Sequence, residues 1–115
     1  MKKIDTFTAN IYVGLQYGYS GFVSDFNDAH KWLQDYCNKV KLGLTLTKTE
    51  FIYVDGREPG IIIGLINYPR FIKPIEEIKE NAMNIGKGLM KLLGQERVSI
   101  VFSDETIMLE KEDDN

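Results

Sequence analysis

The chain has 115 residues, 43% of them apolar and 27% charged, with a formal net charge of −3. That size and composition describe one globular domain with its own core and exclude a collagenous, coiled-coil or disordered chain. The acid excess sits in the tail from Glu110, so the remaining 13 basic and 13 acidic groups balance, and no global basic surface is offered to a phosphate backbone.

In chain order, Asn10 to Tyr17 predicts a first strand, with Ile11, Val13, Leu15 and Tyr17 on one face. Gly18-Tyr19-Ser20-Gly21 is loop chemistry. Ser24 is placed to cap a helix whose apolar stripe is Phe26, Ala29, Leu33, Tyr36 or Cys37, and Val40; Gly43 is placed to end it. Leu44 to Val54 predicts a long strand in which Lys48 and Glu50 break the apolar parity. Either a bulge at Thr47–Thr49 or a strand end projecting past the core explains the break. Asp55 to Gly60 reads as a turn. Gly60 to Ile66 is apolar on both parities and predicts an interior strand. Pro74 opens a second helix with the stripe Ile75, Ile78, Ala82, Ile85, Leu89 and Leu92, in which Gly86 and Gly88 are each unfavourable by roughly 1 kcal/mol relative to Ala. Arg97 to Phe102 and Thr106 to Leu109 are the last strands.

The order implies an α+β ferredoxin-like βαββαβ sandwich over residues 1–109: an antiparallel sheet, two helices on one face, and a short extra C-terminal strand. Residues 110–115 form an acidic flexible tail. The second sheet face, with Tyr12, Thr45, Phe51, Tyr53, Ile62, Ile66 and Val101, has no helix to cover it. Tyr12, Phe51, Tyr53, Ile62 and Ile66 are therefore expected to form a homo-oligomer interface.

The chemistries hosted by this arrangement are mostly excluded by their missing residues. The third strand lacks the basic-Gly-aromatic signature of an RNA-recognition motif, which together with the neutral body argues against nucleic acid. The loop after the first strand, Gly18 to Val23, has no arginine of the kind an acylphosphatase uses to hold phosphate. His30 and Cys37, the lone members of their kinds, lie two helical turns apart and predict neither a metal site nor a Cys–His pair. No cofactor motif is present. One cysteine, no apolar leader and no span-length apolar run point to the cytoplasm and away from a membrane.

Two arginine-bearing segments remain. Arg57 and Glu58 precede the interior strand; Tyr68, Arg70 and Phe71 follow it. The guanidinium groups suit an anion and the rings suit a base, so these five residues are the candidate ligand site, and a nucleotide-like molecule is the expected ligand. As the two clusters end one strand, subunits would have to meet to join them.

The runs Thr49-Glu50-Phe51-Ile52-Tyr53, Gly64 to Phe71 and Val98 to Glu110 resemble small proteins encoded by bacteriophages and prophages. That resemblance brings no assigned activity or site residue. It implies an accessory protein that binds something of the host, with a role against host defence. The combined expectation is a non-catalytic, homo-oligomeric binding protein for a small anionic ligand. An inhibitor of a host protein and a small hydrolase of a phosphate-bearing ligand are the alternatives.

Overall fold

A computed structural model of the chain describes residues 1–16 and 22–111. The expected end of the first strand at Tyr17, most of the loop that follows it and the tail beyond Lys111 lie outside the described residues. The elements are β1 (Thr8–Gly14), α1 (Phe26–Val40), β2 (Thr45–Tyr53), β3 (Gly56–Ile66), α2 (Ile75–Leu92), β4 (Arg97–Phe102) and β5 (Thr106–Glu110). They form one five-stranded sheet in the order β2-β3-β1-β4-β5, antiparallel at every pairing. This is the expected ferredoxin-like arrangement, with β5 added beside β4.

A pleated strand sends successive side chains to opposite faces, and here one parity makes the core. Ala9, Ile11 and Val13 of β1, Ile61, Ile63 and Leu65 of β3, and Val98, Ile100 and Phe102 of β4 are buried in one cluster with Ala29 and Leu33 of α1 and Ile78, Ala82, Ile85 and Leu89 of α2. Each fully buried aliphatic side chain contributes roughly 1.5–3 kcal/mol. Both helices thus cover the same sheet face. The other parity of β3 is not covered: Ile66 is 46% exposed, so the apolar run of β3 is interior to the sheet but has one open face.

The α1–α2 contact explains the glycines inside α2. A Cβ on Gly88 would lie within the Trp32 ring, so the indole packs directly on helix backbone. Trp32 stacks on Tyr36 at 5.4 Å between centroids, and the Tyr36 hydroxyl donates to Asn81 Oδ1 at 2.8 Å, which gives the buried Asn81 side chain a partner.

Several local expectations are corrected. The cap of α1 is Asp25, whose Oδ1 accepts from Asn27 N–H at 2.9 Å; Ser24 is instead tied to the residue just after β1, its N–H donating to the Leu15 carbonyl. The left-handed residue ending α1 is Lys41, at φ 59°, and not Gly43. β2 has no bulge: its register with β3 is unbroken from Thr45↔Gly64 to Tyr53↔Gly56. Lys48 and Glu50 break the pattern because the hairpin projects past the core. β1 ends at Gly14, opposite Gly60, while β2 and β3 continue outward to Tyr53 and Gly56. Ile52 and Val54 near the tip are 79% and 90% exposed.

The turn is also shorter than expected, since Gly56 to Gly60 belong to β3 and Asp55 alone of the turn's residues takes a positive φ, 57°. Pro59 is tolerated in that strand because Leu15 N–H donates to its carbonyl, while the Leu15 carbonyl takes its own hydrogen bond from Ser24.

Candidate functional site

The open sheet face carries Tyr12, Phe51, Tyr53, Ile62, Ile66 and Val101 on one parity, as expected from the alternation. Tyr12, Phe51 and Ile62 are half-buried even without a covering layer, whereas Tyr53 is 54% exposed. Glycine sets how two of these rings lie. A Cβ on Gly60 would overlap the Phe51 ring, and one on Gly56 would overlap the Tyr53 ring, so both rings lie down along the sheet. The result is a flat aromatic and aliphatic platform.

Glu58 lies on the same parity, opposite Phe51 in the hairpin. Its Oε2 comes within 3.1 Å of the point where a Cβ on Gly14 would sit, and Gln95 Oε1 within 2.7 Å of the same point. The absence of a side chain at Gly14 thus lets two side-chain oxygens from distant parts of the chain converge beside β1. Gln95 is held there by its amide N–H groups, which donate to the carbonyls of Gln16 at 2.8 Å and Leu93 at 3.1 Å. Among the described residues, Glu58 has no ion-pair partner. A carboxylate and an amide oxygen beside aromatic rings have the chemistry that attracts a cation with an apolar or aromatic body. Sequence reading misses Gln95: it follows the end of α2 and belongs to no motif, so only strand pairing brings it to Gly14.

The other candidate residues are placed elsewhere. Arg57 is on the opposite parity from Glu58, pairing with Ile52 in the exposed hairpin. Arg70 stacks on Phe71, its guanidinium carbon 5.3 Å from the ring centroid. Tyr68 and Phe71 line an apolar cavity of about 530 Å³ at the far end of β3. Because β3 runs for 11 residues, Arg57 and Arg70 are separated by roughly 30 Å of strand, and one chain does not bring them together. No ion pair joins Arg70 to Glu76 or Glu77 among the described residues; Glu77 is 3.4 Å from Lys73.

His30 and Cys37 line a shallow depression on α1, and burial pushes the Cys37 thiol above its usual range, which keeps it protonated at neutral pH. No group of three metal-ligating side chains occurs among the described residues. No helix among them is long and apolar enough to cross a membrane.

No protein-family model matches the sequence, and no curated protein does. Solved structures do match. A phage SAM lyase in its apo state superposes with a TM-score of 0.78 at 18% identity, over 92% of this chain and 90% of that one. A phage SAM lyase in complex with S-methyl-5'-thioadenosine superposes with a TM-score of 0.78 at 16% identity, over 97% and 96%.

The chain has the fold of a phage SAM lyase. Two expectations are corrected by this finding. The reading as a non-catalytic binding protein, and with it the judgement against an enzyme, is overturned, because the proteins that share the fold over nearly its whole length are enzymes. The host-protein inhibitor, also non-catalytic, falls with them. The phage resemblance agrees with the source of these neighbours. The ligand of one of these neighbours, S-methyl-5'-thioadenosine, is a nucleoside that carries no phosphate.

Proposed function

We propose that this chain is a lyase of S-adenosylmethionine or a closely similar sulfonium nucleoside, and that the substrate lies on the open sheet face beside Glu58. The observation that carries the reading is the Glu58 carboxylate, which has no ion-pair partner among the described residues, opposite Phe51 on the open sheet face, in a chain whose fold matches SAM lyases at a TM-score of 0.78. The substrate is a cation with a flat base. Aromatic faces and a carboxylate are what such a molecule requires, the former for the adenine and the latter for the sulfonium or ammonium charge. Of the expected ligand residues this reading uses Glu58; Arg57 and Arg70 have no anion to hold in it.

Release of methylthioadenosine requires the bond between the sulfonium sulfur and the methionyl γ-carbon to break, with the electron pair passing to sulfur. A lyase adds no water. The substrate's own carboxylate attacks that γ-carbon, forming a carbon–oxygen bond as the carbon–sulfur bond breaks and giving a lactone and a neutral thioether. Atoms and charge balance without a proton transfer, so the step requires no catalytic base. Separated charges merge in the transition state, so exclusion of water favours the step. A single flat sheet face does not exclude water. A second copy laid over Tyr12, Phe51, Tyr53, Ile62 and Ile66 would, and the homo-oligomer is part of the proposal. Depletion of a methyl donor in the host cytoplasm is an accessory role of the kind the phage resemblance implies.

Incubation of the chain with S-adenosylmethionine, followed by chromatography, should release methylthioadenosine. Glu58→Gln should raise KM for S-adenosylmethionine by about tenfold or more with an unchanged melting temperature. No methylthioadenosine from millimolar substrate, by a chain shown to be folded, would refute the reading.

A further inference from the structure

The apolar cavity at the far end of β3 is not used by the proposed lyase site. Buried Leu65 and Ile78 form its floor, Tyr68 and Phe71 its aromatic walls, and Lys41 and Lys73 its charged rim. Its volume of about 530 Å³ falls within the range of small-molecule sites. The charges select the occupant. Two ammonium groups and no carboxylate belong to the lining. Lys41 has no ion-pair partner among the described residues, and Lys73 has only Glu77, at 3.4 Å. Arg70, stacked on the cavity's Phe71, adds a third positive group nearby. The left-handed backbone of Lys41, at φ 59°, closes α1 and sets that lysine at the rim. A sulfonium or ammonium compound would meet like charge here, which sets this cavity apart from the Glu58 face.

We propose that this cavity binds an amphipathic monocarboxylate, its aliphatic body against Leu65, Ile78, Tyr68 and Phe71 and its carboxylate between Lys41 and Lys73. Binding at this site does not depend on the lyase reading. Gly43 gives a clean way to test it: a Cβ there would meet only the Tyr68 ring, at 4.0 Å, and its φ is not positive, so a large side chain enters the cavity without backbone strain.

Calorimetry on the full chain with decanoate, decanol and decylammonium is the experiment. Decanoate should bind with Kd below about 100 μM, and decylammonium at least about tenfold more weakly. Lys41→Asn, which suits the left-handed position, combined with Lys73→Gln should reduce decanoate to the level of decanol. Gly43→Phe should abolish binding of all three; Leu42→Trp replaces it if that variant does not fold. Equal binding of decylammonium, no binding of decanoate, or decanoate binding undiminished by the filled cavity would overturn the proposal. So would light scattering in which decanoate or Gly43→Phe splits an oligomer, since a second copy would then be the occupant.

Discussion

The Trp32 indole occupies the space that a Cβ on Gly88 would fill, so α1 meets α2 at bare backbone. This reverses the expected effect of a common stabilising substitution. By helix propensity, Gly88→Ala should stabilise α2 by roughly 1 kcal/mol. In this packing the new methyl must displace the ring, which also stacks on Tyr36, and overpacking of that kind costs about 1–3 kcal/mol. Urea denaturation should show Gly88→Ala less stable than wild type, and Trp32→Ala should erase the difference between Ala and Gly at position 88. A more stable Gly88→Ala protein would contradict the described contact.

Gln95 should behave as a positioning residue for the Glu58 face. Its amide holds the Gln16 and Leu93 carbonyls, and loss of these bonds in Gln95→Ala should cost about 1–2 kcal/mol of stability. If its Oε1 also faces the substrate cation, KM for S-adenosylmethionine should rise by about tenfold, with a smaller change in kcat. Gln95→Glu separates the two roles. It keeps the shape and adds negative charge, so it should recover or lower KM while remaining destabilised. An effect on stability alone would confine Gln95 to the fold.

The proposed covering of the open sheet face predicts that Ile62→Lys and Tyr53→Glu separate subunits, because each would bury a charge without a partner. Both side chains point to the face that carries no helix. Sedimentation should show an oligomer for wild type and a smaller species for each variant, with far-UV circular dichroism retained. A wild-type monomer at high micromolar concentration would remove the oligomer, and the water-excluding enclosure with it.

Three groups have raised pKa values, and all predict loss of stability in alkali. Burial raises the Tyr36 hydroxyl above its usual 10.0 and the Cys37 thiol above its usual 9.0. Hydrogen bonds to Glu105 and Asp104, at 2.7 and 3.0 Å, raise Lys79 above 10.5. A group whose folded pKa exceeds its unfolded one contributes fully below the unfolded value and loses that contribution as pH rises through the folded value. Thermal stability should therefore hold at neutral pH and fall as pH rises from about 9 through about 11. Tyr36→Phe should be less stable at pH 7, because Asn81 loses its partner, yet should lose less on going to pH 11. Parallel curves for the two proteins would show that Tyr36 does not contribute to the alkaline limb.

The element order was legible because it rests on local periodicity. Alternation in β1, β4 and β5 and the 3.6-residue stripes of α1 and α2 are set by which residues must leave water, and each needs only a few neighbours in the chain. The face of β1 was legible for the same reason, and Tyr12, Phe51, Tyr53, Ile62 and Ile66 do share one parity; in β3, apolar on both parities, the pairing with β1 and β2 decides which side chains face the helices. The length of the projecting hairpin was not. Glu58, Pro59 and Gly60 are turn formers by propensity, and only the pairing partners supplied by β2 and β1 make them strand. The same lengthening carried Arg57 away from Arg70 and turned it from Glu58. The meeting of Glu58 and Gln95 over Gly14 was decided by tertiary structure alone. No local preference relates residues 14, 58 and 95, and they come together only because β1 pairs with β3 and the chain leaving α2 returns past the end of β1.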